Sequence, residues 1–452
     1  PETATTLGLH PIFPQNAKFA MARAAYGLNN YYVTDGNLET RNVLRTYATV
    51  EAEIVPERPV RLMTTNAPDP LQFLNVAGFK NMGIDDAYAM GYCGSSDVVV
   101  GVFDSGIWFG HPDLGADAAW TNPLEIAGDG IDNDENGYVD DVHGPFYGFK
   151  RTGAALPHDK YASHDRNITD PLPQVDWHGM MVSGTVAGRR DNGVGASGVA
   201  GGCSEYGNGV ELVDFGWLWE SSKMSTSSML RHYAESLLYS AENGIDVHSN
   251  SWQMIGPFEL AYELTRSAEL YFMETGRNGK GGLLFASVGN EDLPITRNPN
   301  SGGSRWIPHH AYFIGALEQS LVPTDYSTYG NVAMSAVSNV YTTTTAINSQ
   351  IFTNYRMGGG TSNACAFVAG ISALLLEANS SATRTDIIDC MRKTGTDLPS
   401  IDSIAYKVPY MGKAVHAGRA IKCIQGDADF ASIPVEPIVQ YNEPVKVRKD
   451  IY

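Results

Sequence analysis

The chain has 452 residues, 43% hydrophobic and 18% charged, with 47 glycines. It is therefore long and apolar enough to bury a sizeable core, which excludes disorder along its whole length. Thirty-one basic residues against fifty acidic ones give a formal charge of −19, a balance that repels phosphate backbones and anionic lipid and argues against nucleic-acid or membrane partners. Five cysteines (Cys93, Cys203, Cys365, Cys390, Cys423) without a CxxC pair exclude a disulfide scaffold and leave at least one thiol free.

In chain order, residues 1–65 read as a small α/β unit or half of one, ending at the proline-punctuated link Asn66-Ala67-Pro68-Asp69-Pro70. From Asp97 the pattern changes. Strand-like apolar runs at 98–104, 211–219, 245–252, 281–290 and 306–317 are separated by helical stretches after Asp176 and over Ser228 to Glu242. Apolar runs that do not alternate, separated by helices, predict parallel strands covered on both faces, hence a three-layer α/β domain with a mainly parallel central sheet. Thr361 to Leu376 is apolar all round and predicts a central buried helix. The longest apolar run, around Phe367 to Leu376, is too short for a bilayer span of about 20 residues. After Gly426 the chain turns proline- and charge-rich, which predicts an extended tail over 427–452 and a main domain over 66–426. The chain begins at Pro1 without a signal-peptide core, so the expectation is that an upstream segment was removed or left out. Asn167-Ile168-Thr169 and Asn379-Ser380-Ser381 fit the glycosylation sequon, which also arises by chance.

Four stretches carry candidate chemistry. VVVGVFDSGI places Asp104 at the carboxyl end of an apolar strand, where open α/β sheets collect ligand and catalytic groups; a DSG tripeptide also serves ordinary turns. DWHGMMVSGTVAG puts His178 at the start of a helix whose Ser183, Gly184, Ala187 and Gly188 allow close packing, although a lone histidine is often structural. ASVGNED ends a strand at Asn290, an amide that could donate to an oxyanion or simply turn the chain. GGTSNACAFVAG holds Thr361, Ser362 and Cys365 behind glycines at a helix N-terminus, where free backbone N–H groups meet negative charge. Together these supply a nucleophile, a base, an orienting carboxylate and an oxyanion donor, the parts of an acyl-transfer site.

On these motifs the chain resembles the subtilisin-like serine endopeptidases, the subtilases, over residues 70–400. Asp104 in DSG, His178 in HGMMVSG and Ser362 in GTSNACAFVAG are similar to the family's three motifs, and Asn290 in SVGN to its oxyanion asparagine. The resemblance implies a subtilisin-like fold and an Asp104–His178–Ser362 triad, with Ser362 as nucleophile, Thr361 pointing away and Cys365 packing in the core. SNSWQ, GKGGLLFASVGN and LLLEAN are similar to the kexin and proprotein-convertase branch. That branch's acidic run after SWG is replaced by Gln253-Met254-Ile255-Gly256, so dibasic specificity is not carried over. Ser251, Trp252 and Gln253 match the strand that pairs with an extended substrate, with 216–220 as a second edge; Trp217 and Trp219 are equally readable as core aromatics.

GDGIDNDENGYVDD presents Asp132, Asp134 and Asn136 at alternate positions, then Gly137 and Asp140, a pattern that converges oxygens on one calcium ion. A solvated acidic turn is the plainer alternative. The resemblance implies a second structural calcium at Asp113 and Asn192. The expectation is a secreted, monomeric, calcium-stabilised endopeptidase acting on protein or peptide substrates, with residues 1–65 either an inhibitory propeptide remnant or an extension of the mature domain. A transpeptidase or macrocyclase on the same triad, or a non-catalytic binding protein on the scaffold, are the alternatives. Cys390 with Cys423 is the bridge expected, though no residue pattern requires it.

Overall fold

The computed structural model describes residues 10–11, 32–33, 69–136, 138–145, 147, 177–203, 209–217, 226–256, 259–295, 305–348 and 351–430. The chain divides into two compact units, 1–65 and 66–452. In the first, His10–Pro11 pairs antiparallel with Tyr32–Val33; the rest of the small α/β reading, the sequon at Asn167, Gly137, Trp219 and residues 431–452 of the predicted tail lie outside the described residues.

The second unit runs α1 (Val76–Asn81), α2 (Ile84–Ala89), β1 (Val99–Val102), α3 (Trp177–Ala187), β2 (Glu211–Asp214), α4 (Thr226–Glu242), β3 (Val247–Asn250), β4 (Met254–Gly256), α5 (Glu259–Thr275), β5 (Leu283–Ser287), β6 (Arg305–Ile307), β7 (Tyr312–Leu317), β8 (Met334–Val337), β9 (Tyr341–Asn348), β10 (Ile351–Met357), α6 (Gly360–Ala378), α7 (Arg384–Thr394) and α8 (Ala417–Ile424). Six strands form one sheet in the order β8-β7-β5-β3-β1-β2, every pairing parallel. The predicted class is therefore what the structure has. β4 with β6 and β9 with β10 make two small antiparallel sheets. The predicted strand at 306–317 is in fact two, β6 and β7, because the chain changes sheet at Pro308-His309-His310.

Side chains alternate faces along each strand. Val100, Val102, Phe285 and Ile314 enter one core with α3, α6, α7 and α8, while Val99, Phe103, Leu284 and Phe313 enter the other with α4 and α5. α6 is buried from Thr361 through Leu376. It is long and apolar enough to cross a membrane by composition, but 89% of its most apolar window is covered by this protein. Disulfides join Cys390 to Cys423 and Cys93 to Cys203, the second unforeseen, leaving Cys365 free and buried. In the sequon at Asn379 the amide Nδ2 donates to Ile424 O, so the atom that would carry a glycan is engaged.

Candidate active site

From β1 the chain moves outward to β2, then crosses back so that β3 lies on the other side of β1. Such a reversal opens a crevice at the carboxyl ends of the two strands. Asp104 follows β1 and is 4% exposed. Its Oδ1 accepts from Ser105 N at 2.7 Å and lies 2.7 Å from Nδ1 of His178. A carboxylate can only accept, so Nδ1 carries the proton and Nε2 is left as the basic nitrogen. His178 stands in the first turn of α3, where Gly179 N donates to Ser105 Oγ at 2.8 Å. A Cβ on Gly179 would collide with Gly106 O, so the helix can rest on the DSG turn only with glycine there. Further along, a Cβ on Gly184 would strike Thr343 of β9. The hydroxyls of Thr343 and Thr342 donate to Met180 O and Met181 O at 2.7 and 3.1 Å.

Ser362 occupies the first turn of α6, behind Gly360 at φ +73. Its Oγ donates to Ser251 O at 3.1 Å, just past β3, and Ser251 Oγ returns a bond to Ser362 O at 2.9 Å. Asn363, fully buried, ties this turn to α3: Thr185 Oγ1 donates to its Oδ1 at 2.6 Å while its Nδ2 donates to Ser338 O at 2.6 Å. No sequence signal marked that pair. Thr361 does not point away, as expected, but turns toward β5, where its Oγ1 accepts from Gly289 N at 3.0 Å and donates to Asn290 Oδ1 at 3.1 Å. Thr361 N also donates to Asn290 Oδ1, at 2.8 Å. Two donors on Oδ1 fix the amide's orientation, leaving the Nδ2 hydrogens directed elsewhere, with no hydrogen-bond partner among the described residues.

Of the expected substrate strand, Ser251 and Trp252 are buried, and Trp252 packs against Phe103, Tyr233 and Trp217 as a core aromatic. Trp217 also stacks on Phe103. Gln253 reaches across Gly289 (φ +107), its Nε2 donating to Glu291 at 3.2 Å. Beside His178, the exposed Trp177 lies under the Arg356 guanidinium, 4.0 Å from ring centre to Cζ; the sequence reading had not singled out either residue.

In the acidic loop the carboxylates that converge, within 4.8 Å of one another, are Glu125, Asp134 and Asp141. Asn136 Nδ2 bridges Asp134 and Asp141 at 3.0 and 2.9 Å, and Asp132 accepts from Asn136 N at 3.0 Å. Asp140 is turned to another use, because its oxygens accept from the N–H groups of Gly128, Asp129 and Gly130. At the second expected site Asp113 is fully buried, and burial pushes its carboxyl up to about 8. Asn192 Nδ2 donates to it at 2.8 Å, so the amide's NH₂ side and not its oxygen faces Asp113. Neighbouring Asp69, placed by sequence in a linker, is buried and accepts from the N–H groups of Asp191, Asn192 and Gly193 and from Ser197 Oγ.

A parallel-sheet protein that gathers an Asp–His pair, a helix-start serine and a strand-end amide at its switch point has the layout of a serine hydrolase. The chain belongs to the subtilase family, whose model matches residues 95–406. It is 26% identical to "Endoprotease bli" of Onchocerca volvulus over 77% of this chain and 45% of that protein. Against "Subtilisin-like protease 1" of Plasmodium vivax it is 27% identical over 66% and 44% of the two chains, and against human "Proprotein convertase subtilisin/kexin type 4" 26% over 70% and 36%. The chain thus spans less than half the length of these relatives. Among solved structures, a protease of Pseudoalteromonas arctica PAMC 21717 aligns with TM-score 0.54 at 20% identity, over 79% of this chain and 99% of that one. A lanthipeptide protease aligns with TM-score 0.50 at 16% identity, over 79% and 98%. At that identity the likeness is one of fold.

Proposed function

We propose that the chain is a serine endopeptidase in which Ser362 is the nucleophile, His178 the general base, Asp104 the residue that orients His178, and Asn290 with the Ser362 N–H the oxyanion donors. The observation that carries this reading is the 2.7 Å Asp104–His178 contact past the end of β1, with Ser362 bonded to Ser251 past the end of the neighbouring strand β3. In the reaction, the Ser362 hydroxyl leaves Ser251 O and passes its proton to Nε2 of His178 as Oγ attacks the peptide carbonyl. The tetrahedral oxyanion then gains hydrogen bonds from Asn290 Nδ2 and the orphan N–H of the first turn of α6. His178 returns the proton to the departing amine, and water hydrolyses the acyl-serine by the same relay. Ser251, Trp252 and Gln253 contribute main-chain atoms for pairing with an extended peptide, with the Gln253–Glu291 bond walling the first side-chain pocket.

Calcium fits the acidic loop. Glu125 Oε2 is buried with no hydrogen-bond partner among the described residues, and the donors the loop shows to Asp134 and Asp141 are neutral amides and the Tyr239 hydroxyl. Glu125, Asp134 and Asp141, with Asp132 and the Asn136 amide at hand, would hold the ion, while Asp140 shapes the loop. Bound there, calcium neutralises clustered carboxylates and takes no part in hydrolysis. Asp113 and Asn192 would serve a second ion only with the Asn192 amide reversed. The two disulfides and the acidic surface accord with a secreted monomer, and residues 1–65 with a propeptide or extension of the mature enzyme.

A fluorophosphonate probe tests the assignment. It should label Ser362 stoichiometrically and abolish hydrolysis of a peptide substrate; folded protein in which Ser362 stays unlabelled would sink the reading.

A further inference from the structure

Lys407 is fully buried, with 0% of its side chain exposed, although an ammonium is among the costliest groups to remove from water unless every donor is met. Here each is met. Nζ donates to Asp292 Oδ1 at 2.7 Å, to Thr324 O at 2.9 Å and to Asp325 O at 2.7 Å, with Ser327 O at 3.5 Å beyond. An ammonium has three hydrogens, so three short bonds to three acceptors exhaust it. The side chain thus behaves as an internal cation, one carboxylate and a ring of carbonyls gathered around a single positive point.

The acceptors are the informative part. Asp292 stands two residues past Asn290, at φ +51, in the left-handed region that aspartate tolerates better than most side chains and that turns the chain sharply after the strand end. Tyr406 Oη donates to the same carboxylate, lying 2.9 Å from Oδ1 and 2.8 Å from Oδ2. The carbonyls belong to the 324–327 loop, which runs beside the 289–295 segment: Asp292 N bonds Tyr326 O at 2.9 Å, Thr328 N bonds Gly289 O at 3.0 Å and Tyr329 N bonds Leu293 O at 3.1 Å. From that loop the Tyr326 hydroxyl accepts from Gly360 N at 3.1 Å, at the very start of α6. Thr328 Oγ1 bonds Glu291 at 3.1 Å, which in turn meets Gln253. One buried charge therefore stands where the strand end bearing Asn290, the loop opposite and the helix start bearing Ser362 converge.

We propose that Lys407 is a positioning residue for Asn290: by clamping Asp292 to the 324–327 carbonyls it holds the strand-end amide where an oxyanion forms. It touches no reacting atom and acts through the backbone of 290–292. This inference rests on the role given to Asn290 above.

A double-mutant cycle in the full chain tests it, read on a fluorogenic peptide amide that the wild-type enzyme hydrolyses. Asn290→Ala should lower kcat by about 10²- to 10³-fold. Lys407→Met, which keeps length and removes charge, should lower kcat by about ten-fold or more with KM changed less than about two-fold, and should add nothing to Asn290→Ala in the double variant. Losses that multiply in the double variant, or a wild-type kcat for Lys407→Met, overturn the clamp and leave the assignment of Asn290 intact. An unchanged kcat for Asn290→Ala removes that assignment, and the clamp with it. Should Lys407→Met not fold, Asp292→Asn, altered at a partly exposed carboxylate, must show the same kcat loss and the same non-additivity with Asn290→Ala; a folded Asp292→Asn enzyme with wild-type kcat also overturns the clamp.

Discussion

Two potential nucleophiles sit three positions apart on α6, and their surroundings give them opposite characters. Ser362 keeps its Oγ at the mouth of the crevice, bonded to a backbone carbonyl it can leave. Cys365 lies one turn deeper, fully buried against Ser249 and Asn250, and burial pushes its thiol up to about 12. A thiol with that affinity for its proton is inert at neutral pH. Cys365→Ala should therefore retain kcat within about two-fold at a stability cost of about 1 kcal/mol, and native enzyme should resist iodoacetamide; loss of activity on alkylation of Cys365 alone would reverse the assignment. At this scale the sequence marked Asp104, His178, Ser362 and Asn290, because each lies at a strand end or helix start that local pattern predicts. It did not give the bonds made by Thr361, Asn363 and Asp141, since their partners Asn290, Thr185 and Tyr239 are 71, 178 and 98 positions away.

Among the elements, β3 shows what burial does to a polar side chain. His248 is enclosed by Phe103, Phe215, Tyr233 and Phe272. Asn250 Nδ2 donates to its Nδ1 and Nε2 donates to Ser236 Oγ, which fixes a neutral ring. Burial holds its pKa down at about 3. The native ring refuses a proton that the unfolded chain accepts below about 6.5, so this group's contribution to stability is intact above pH 6.5 and is lost as pH falls toward 3. Unfolding free energy should decline in that window by up to about 1.4 kcal/mol per pH unit from His248; urea titrations across it should show a shallower decline in His248→Gln, and equal slopes would refute the account. The apolar strands β1, β5 and β7 were legible because a strand covered on both faces reads as one continuous run. α5 was not: it buries Glu269 while exposing Leu264 and Tyr271, which blurs its period. The hairpin β9–β10 was hidden too, because the threonines at 342–344 are buried, the hydroxyls of Thr342 and Thr343 donating to α3 carbonyls that the sequence does not pair with them.

For the molecule as a whole, which carries a charge of −19, the proposed calcium site would tie stability to a divalent cation through Glu125, Asp134 and Asp141. Calcium at a hundredfold excess over its Kd should add about 2.7 kcal/mol, so chelation should lower Tm by roughly 3 °C in a unit of this size. Asp134→Asn with Asp141→Asn should abolish the difference; identical melting of chelated and calcium-loaded wild type would remove calcium from the loop. Layering and parallel order were readable from the whole sequence, whereas the Cys93–Cys203 bridge and the use of Asp69 to cap residues 191–193 depend on which distant segments the fold brings together.

α6 supplies both the serine proposed as nucleophile and the spine on which β1, β3, β5, β7 and β8 pack. The residues that make the protein solid and the proposed nucleophile thus share one rod, so a substitution that shifts the rod would disturb folding and the site together. Gln253, Glu291 and Trp177 stand apart from that rod, so a side chain changed there alters the rim of the crevice and leaves the rod in place.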